Sequence, residues 1–329
     1  HRIVLIGEAH DNPAHHRVQL QVIQALHARH PDLAIALEMF PRTFQPQLDR
    51  WVAGELTEEA FLDAVDWYFT WGFDPDLYWP ILRHARDRKI TLLAINLPRE
   101  TVSQVRKKGF DALERQQKEQ LPPICPATSD YRMRLEDVFN AHPMMSKGGA
   151  FDHFVEAQTL WDGAMADGIR SWSLAHPQGV VVGLAGAGHL LMGHGIPHQL
   201  RSRGIEDVVT LLPWSGDDSW IDPRAADYAW GTPEAPETPE PRRLGVTLDE
   251  KRSDGAWLTG VQEESPGARA GLKPGDRLVA LDGRKIESRH ALVRLVNAVP
   301  RHHDSVRVTF ERDGRREELV IDWPKPDPS

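Results

Sequence analysis

Cysteine is almost absent from this 329-residue chain. The one thiol, Cys125, excludes an intrachain disulfide framework and any cysteine-built zinc knuckle. That usage fits the cytoplasm, and equally a periplasmic protein that needs no disulfide. No run approaches the ~18 consecutive apolar residues of a membrane-spanning helix. Positive charge is also short: 39 Lys and Arg face 48 Asp and Glu, a net charge of −9, which argues against a nucleic-acid partner. An initiator methionine is missing too. The chain begins at His1, directly on a strand-like run, so a leader, signal or lipid-anchor segment is expected to have preceded it.

What is there is enough for roughly two domains of ordinary size, each able to bury a core. The composition breaks sharply at residues 232–241, TPEAPETPEP. A proline and glutamate tract of this kind reads as an extended linker. It leaves a first domain at 1–231 and a second at 242–325. In the first, short apolar runs at 3–6, 34–37, 90–95, 180–184 and 208–212 alternate with helical stretches. The runs lack two-residue alternation, as strands covered on both faces do. A helix is expected from Pro13 to about Arg29, with Asn12 as its cap. The repeated strand–helix–strand pattern predicts an α/β fold with a parallel sheet and flanking helices. The spans 48–79 and 101–169 exceed what crossovers need and predict a helical cap.

In a parallel sheet the carboxyl ends of all strands lie on one edge, where such folds place their ligands. That edge receives Glu8 and His10 after the first run, Glu38 after the second and His189 after the fourth. Singly, each is an ordinary turn residue or helix cap. Together they can hold a divalent metal, or let a Glu–His pair activate a water. His15 and His16 extend the set, one of them expected on the surface. Glycines 183, 186, 188, 193 and 195 allow close backbone approach to a ligand, and the amides there can bind an anion. On the helix expected from Phe151, Gln158 and Asp162 share one stripe and read as an Asp–Gln pair on a lid. His142, Met144, Met145 and His153 are soft or nitrogen donors suited to haem iron. The aromatic stretch 66–85 reads as core, or as the wall of a pocket for a planar ligand.

The motifs GEAHDNPAHH, ALEMF, WGFDPDLYWPIL, AINLPRE, EAQTLWDGAMA and AGAGHLLMGHGIPHQL occur in that order between residue 7 and residue 200. In combination they resemble the ChaN family of haem-binding, iron-regulated bacterial lipoproteins, over residues 1 to about 215. That family is similar in turn to the erythromycin-esterase and Tiki/TraB group, in which a Gly-x-x-His motif, here Gly7 to His10, serves hydrolysis. The resemblance implies a shared polar site at Glu8, His10, Glu38 and His189. It also implies an iron-binding tyrosine, for which Tyr131 is nearest, beside His142 and His153. Haem is the expected cofactor, with a divalent metal as the alternative. The expected setting is the periplasmic side of a bacterial envelope, in haem or iron uptake. A metal- or Glu/His-dependent hydrolase is the rival reading, and a homodimer stays open.

The last segment resembles a PDZ domain, small and β-barrel-like. RRLGVTL is similar to a carboxylate-binding loop and groove strand, VQEESPGARAGLKPGDRLVALDGRKI to the core, and SRHALVRLVNAV to the groove helix. Ser288 should cap that helix, with Leu292, Leu295, Val296 and Val299 facing inward. The resemblance implies capture of a partner protein's C-terminal peptide at Leu244, Gly245, Val246 and His290, by strand addition. A bulky residue at Gly245 is expected to block the carboxylate and spare the fold.

Overall fold

The computed structural model describes residues 1–141, 150–215, 221–234, 242–252, 254–300 and 302–324. They form two compact units, His1–Pro236 and Glu237–Ser329. Most of the predicted linker, 235–241, lies outside the described residues, as do His142, Met144 and Met145.

The first unit opens with β1 (Ile3–Glu8), buried along its whole length. Helix α1 (Pro13–His27) follows, started by Asn12, whose side chain accepts the Ala14 N–H at 2.9 Å, and by a proline in the first turn. Strand β2 (Leu33–Pro41) runs three residues past Glu38 and is buried throughout. The first helical group is α2 (Gln45–Ala53), α3 (Glu58–Ala64), α4 (Trp67–Thr70) and α5 (Trp79–Arg88). After β3 (Thr91–Asn96) comes the second group: α6 (Arg99–Lys108), α7 (Arg115–Glu119), α8 (Ser129–Ala141) and the long α9 (Phe151–Ala175). Strand β4 (Val180–Gly186), helix α10 (Ile196–Arg201), β5 (Val208–Trp214) and β6 (Tyr228–Gly231) complete the unit.

The sheet order is β3-β2-β4-β1-β5-β6 and every pairing is parallel. Five of these strands are the expected apolar runs. The sixth, β6, was not legible: its four residues are all exposed on the sheet edge, so no buried run announces it. It is anchored at its start by Asp227, which accepts both the N–H and the hydroxyl of Thr210 at 2.8 Å. At its end the Thr232 N–H reaches Trp214 O at 2.7 Å.

The chain leaves β1 toward β2 on one side and leaves β4 toward β5 on the other. The crevice between β1 and β4 is therefore a switch point, the place where open α/β sheets gather ligands. Register puts Glu8 beside Gly186 and Leu37 beside Leu184, so Glu38 arrives at the same level. One sheet face packs an aromatic core, with Trp51, Trp67, Tyr78, Phe40 and Phe61 fully buried. The 66–85 stretch is thus mostly core. The other face packs on α9 and α10 through Met165, Ile169 and Leu200. Among the described residues no helix is long and apolar enough to cross a membrane.

The second unit contains β7 (Val246–Leu248), β8 (Ala256–Val261), α11 (Pro266–Ala270), β9 (Arg277–Leu281), β10 (Arg284–Lys285), α12 (Arg289–Asn297), β11 (Ser305–Arg312) and β12 (Arg315–Asp322). Its antiparallel order β12-β11-β9-β8-β7 leaves β7 as a terminal strand. Ser288 caps α12 by accepting the Ala291 N–H at 3.1 Å. Leu292, Leu295, Val296 and Val299 are buried against Leu258, Leu278 and Phe310.

Candidate functional site

The four residues expected at the strand ends do converge. Glu8, on the last position of β1, is 3% exposed, and Glu38 is 2% exposed. Burial on this scale costs a carboxylate heavily unless partners replace water, and the partners are all present.

Around Glu8, Tyr78 OH donates to Oε1 at 2.8 Å, His10 Nδ1 donates to the same oxygen at 2.8 Å, and Gln19 Nε2 donates to Oε2 at 2.6 Å. His16 Nε2 donates to His10 O at 3.0 Å, which fixes the turn carrying His10. Burial pushes the Glu8 carboxyl up, but the His10 hydrogen bond and the nearby charges of His16 and His10 outweigh it and hold it below its ordinary value. Burial alone would lower His10. The Glu8 hydrogen bond and the charges of Glu38 and Glu8 raise it instead. The Tyr78 phenol is pushed far up, by burial first and the Glu8 charge second, so it stays a donor.

Around Glu38, the Gly186 N–H donates to Oε2 at 2.6 Å, and His189 Nε2 stands 3.4 Å from Oε1. His189 Nδ1 donates to Asp162 Oδ1 at 2.6 Å, and Tyr131 OH donates to Asp162 Oδ2 at 2.6 Å. Asn96, ending β3, donates to Glu38 O at 2.6 Å. Burial would lower His189, yet the charges of Glu38 and Asp162 raise it to about 10, so it is an imidazolium at neutral pH. Burial would raise Glu38, yet the charge and hydrogen bond of His189 bring it below its ordinary value.

The two halves meet at Gly186. A methyl group there would stand 3.0 Å from His10 Cε1, 3.1 Å from Nε2 and 3.7 Å from Glu38 Oε2. A larger residue there would make the His10 ring give by a few tenths of an ångström, so glycine leaves the imidazole edge its present place. His10 is the accessible member, with 27% of its side chain exposed. Its ring is flanked by Trp71 at 4.6 Å and Phe73 at 4.9 Å.

Several expectations change here. The four expected ligands form a hydrogen-bonded charge cluster in which the donor atoms are paired with one another. Among the described residues no group of three or more His, Cys, Asp or Glu is placed to hold a metal ion. The glycine-rich turn does not offer Gly186 N–H to a ligand anion, since Glu38 occupies it. Asp162 spends its oxygens on His189 and Tyr131 rather than on Gln158. His15 and His16 are both buried, at 6% and 3% exposure, so neither is a surface histidine. Tyr131 belongs to the same cluster through Asp162, whereas His153 does not. It lies half-buried on α9 with Nε2 against Gly109, and its buried Nδ1 has no hydrogen-bond partner.

With this geometry in place, the comparisons with known proteins become informative. Residues 1–200 match the family model described as haem-binding uptake, Tiki superfamily, ChaN. The chain belongs to the ChaN family. A solved ChaN of Campylobacter jejuni with cofacially bound haem is 23% identical, with a TM-score of 0.55, over 69% of this chain and 86% of that one; this likeness establishes the fold. An erythromycin esterase mutant in its open conformation is similar at a TM-score of 0.40, 17% identical, over 64% of this chain and 69% of that one. Residues 242–322 match the PDZ domain model. A putative zinc metalloprotease of Brucella suis biovar 1 (strain 1330) is 42% identical over 62 residues, 19% of this chain. The match spans only 16% of that protein's length.

Fused to the ChaN-family unit, the PDZ unit presents the expected peptide-site residues in one short stretch and one helix start. Leu244 is buried, Val246 begins β7, and His290 is the second residue of α12, half-buried. Gly245 has φ +73, and a Cβ there would stand 2.1 Å from Ser265 Cβ. The expectation that a bulky residue at Gly245 spares the fold is therefore corrected: both the backbone and the space exclude one.

Proposed function

We propose that the N-terminal unit binds haem in haem or iron uptake on the periplasmic side of a bacterial envelope, and that the PDZ unit captures a partner protein's C-terminus. The match of residues 1–200 to the haem-binding uptake family carries this reading. The residues divide sharply in their fit to iron. Tyr131 does not fit as a free ligand: it is 3% exposed, its hydroxyl is given to Asp162, and burial with that charge holds it far from phenolate. His153 fits better, because its Nδ1 is buried with no partner, and metal-binding imidazoles need one nitrogen free for the metal. His142 lies outside the described residues. Haem, when bound, would supply an iron able to accept a nitrogen donor such as His153. The test is titration of the full chain with ferric haem. Saturable binding with a ligated absorption band is expected, and a spectrum unchanged from free haem at micromolar protein ends the reading.

For the PDZ unit, the supporting feature is the terminal position of β7, which leaves one edge for strand addition. Apolar C-terminal peptides should bind at micromolar strength. Capping the carboxylate as an amide should weaken binding about tenfold or more through loss of charged hydrogen bonds. Equal binding of the amides would remove the proposed mode.

A second reading has its own observation. His10 holds Nδ1 on buried Glu8 and keeps its other edge over Gly186 beside Glu38, the arrangement of a carboxylate-oriented general base. On this reading the chain hydrolyses an ester, and His10→Ala lowers the rate about 100-fold or more. Absence of turnover by the unaltered chain on a panel of activated esters would discard it.

A further inference from the structure

A cavity of about 880 Å³ lies in the helical cap, apart from the Glu8–Glu38 cluster. It follows a seam between two small apolar groups. On one side Phe110, Leu121 and Ile124 pack on buried Leu97 and Leu160. On the other, Ala127 and Val155 pack with buried Leu135 and Phe154. The same lining carries two cations, Lys118 on α7 and Arg132 on α8, and two carboxylates, Asp152 and Glu156 on α9. We propose that this cavity binds a neutral, largely apolar small molecule, whose body fills the seam and joins the two groups.

The first support is that the polar side chains of the lining are already spent. Lys118 Nζ donates to Asp111 O at 3.2 Å and lies 5.5 Å from the centre of the Phe110 ring. Arg132 pairs with Asp152 and lies 4.9 Å from the centre of the Phe151 ring. Glu156 Oε2 accepts the Phe110 N–H at 2.6 Å, and the Thr159 hydroxyl donates to Val155 O at 2.6 Å. A charged ligand would have to displace one of these partners. It would also meet its own sign twice on the same wall. Its lost hydration would go unreplaced, whereas a neutral apolar body gives up little to water.

The backbone of the wall is spent as well. The segment from Leu121 to Ala127 carries three prolines, which have no N–H to offer. Gln199 donates to Cys125 O at 2.6 Å and accepts the Cys125 N–H at 3.0 Å. His198 Nε2 donates to Pro126 O at 3.1 Å, and Arg203 donates to Pro123 O. A wall pinned in this way loses little freedom when a ligand enters. The volume is that of a small-molecule pocket, a class lined mostly by apolar side chains.

This assignment goes beyond the readings above and needs none of them. The test uses the full chain and three probes that share one alkyl chain: 1-decanol, decanoate and decylammonium. Each is titrated against the neutral dye Nile red, whose emission reports displacement. Decanol is expected to displace the dye saturably, and each ion to bind about tenfold more weakly or worse. Ile124→Trp and Leu121→Trp should each weaken decanol about tenfold or more by filling the cavity. Met133→Trp, on an α8 residue that is 60% exposed and outside the lining, should change nothing. Thermal melts identify any variant that fails to fold, and two wall positions guard against losing one. Failure of decanol to bind overturns the proposal. So does an ion that binds as tightly as the alcohol, or decanol binding that ignores both filled-cavity variants. Haem titration is a separate measurement, so failure of the haem reading and failure of this one are told apart.

Discussion

The two halves of the strand-end cluster are built from the same parts and do different things. Each has a buried glutamate, a histidine and a tyrosine. In the β1 half, Glu8 collects three donors and His10 still shows 27% of its side chain to solvent. In the β4 half, His189 is held between two carboxylates and shows 11%. One half fixes an imidazole at the surface; the other buries an ion cluster to hold it. Rigidity and access are thus assigned to different histidines, a division that pre-organised sites depend on.

The largest break in this contrast comes from removing His189. His189→Ala leaves Glu38 and Asp162 as buried charges without their shared cation and should cost about 3–5 kcal/mol. His10→Ala leaves Glu8 with Tyr78 and Gln19 and should cost about 1–3 kcal/mol. Guanidinium unfolding of the two variants measures the difference. Equal losses would abolish the distinction.

A smaller effect separates the tyrosines. Tyr131→Phe leaves Asp162 with His189 as its remaining partner, whereas Tyr78→Phe leaves Glu8 with two donors. The first should cost about 2 kcal/mol and the second about 1 kcal/mol. The reverse order in denaturant midpoints would mean that Glu8 is the more strained carboxylate.

The smallest and most diagnostic effect is in pH. His189 is raised from 6.5 to about 10 by folding, so its contribution is complete below pH 6.5 and is lost as pH rises through 10. Glu8 and Glu38 are held below 4.5, so their contributions are complete above that pH and are lost as pH falls through the lowered values. The melting temperature of the first unit should therefore fall on both sides of a plateau between pH 4.5 and 6.5. His189→Gln should flatten the alkaline side and, by removing the charge that lowers Glu38, weaken the acid side to the part that Glu8 carries. An alkaline limb identical to that of the unaltered chain would show that His189 does not carry it.

What the sequence disclosed follows from topology. Parallel strands bring their carboxyl ends to one edge, so Glu8, His10, Glu38 and His189 could be grouped without knowing a single distance. Their supports were hidden because contact partners lie on elements far along the chain: Tyr78 is 70 residues from Glu8, and Asp162 is 27 from His189. A signal for Asp162 did exist. It sits among Leu160, Ala164, Met165 and Ala166 on a buried stripe, and a charge there demands a counter-charge. Strand β6 had no such mark, since Tyr228 and Trp230 are 60% and 43% exposed. The metal expectation meets the same limit. Spacing shows which donor atoms can meet, not which have already been consumed by hydrogen bonds.

The lateness of β6 also has a mechanical side. It is the last strand before the proline-rich tract, so any tension arriving from the following residues enters the first unit there. Its ladder with β5 runs from Leu211–Tyr228 to Trp214–Gly231, with the Asp227–Thr210 bonds at one end and the Thr232–Trp214 bond at the other. A pull along the strand axis loads these bonds together, in shear, instead of opening them one after another. A tug on the chain would therefore meet this four-residue ladder before it met the β1–β4 crevice.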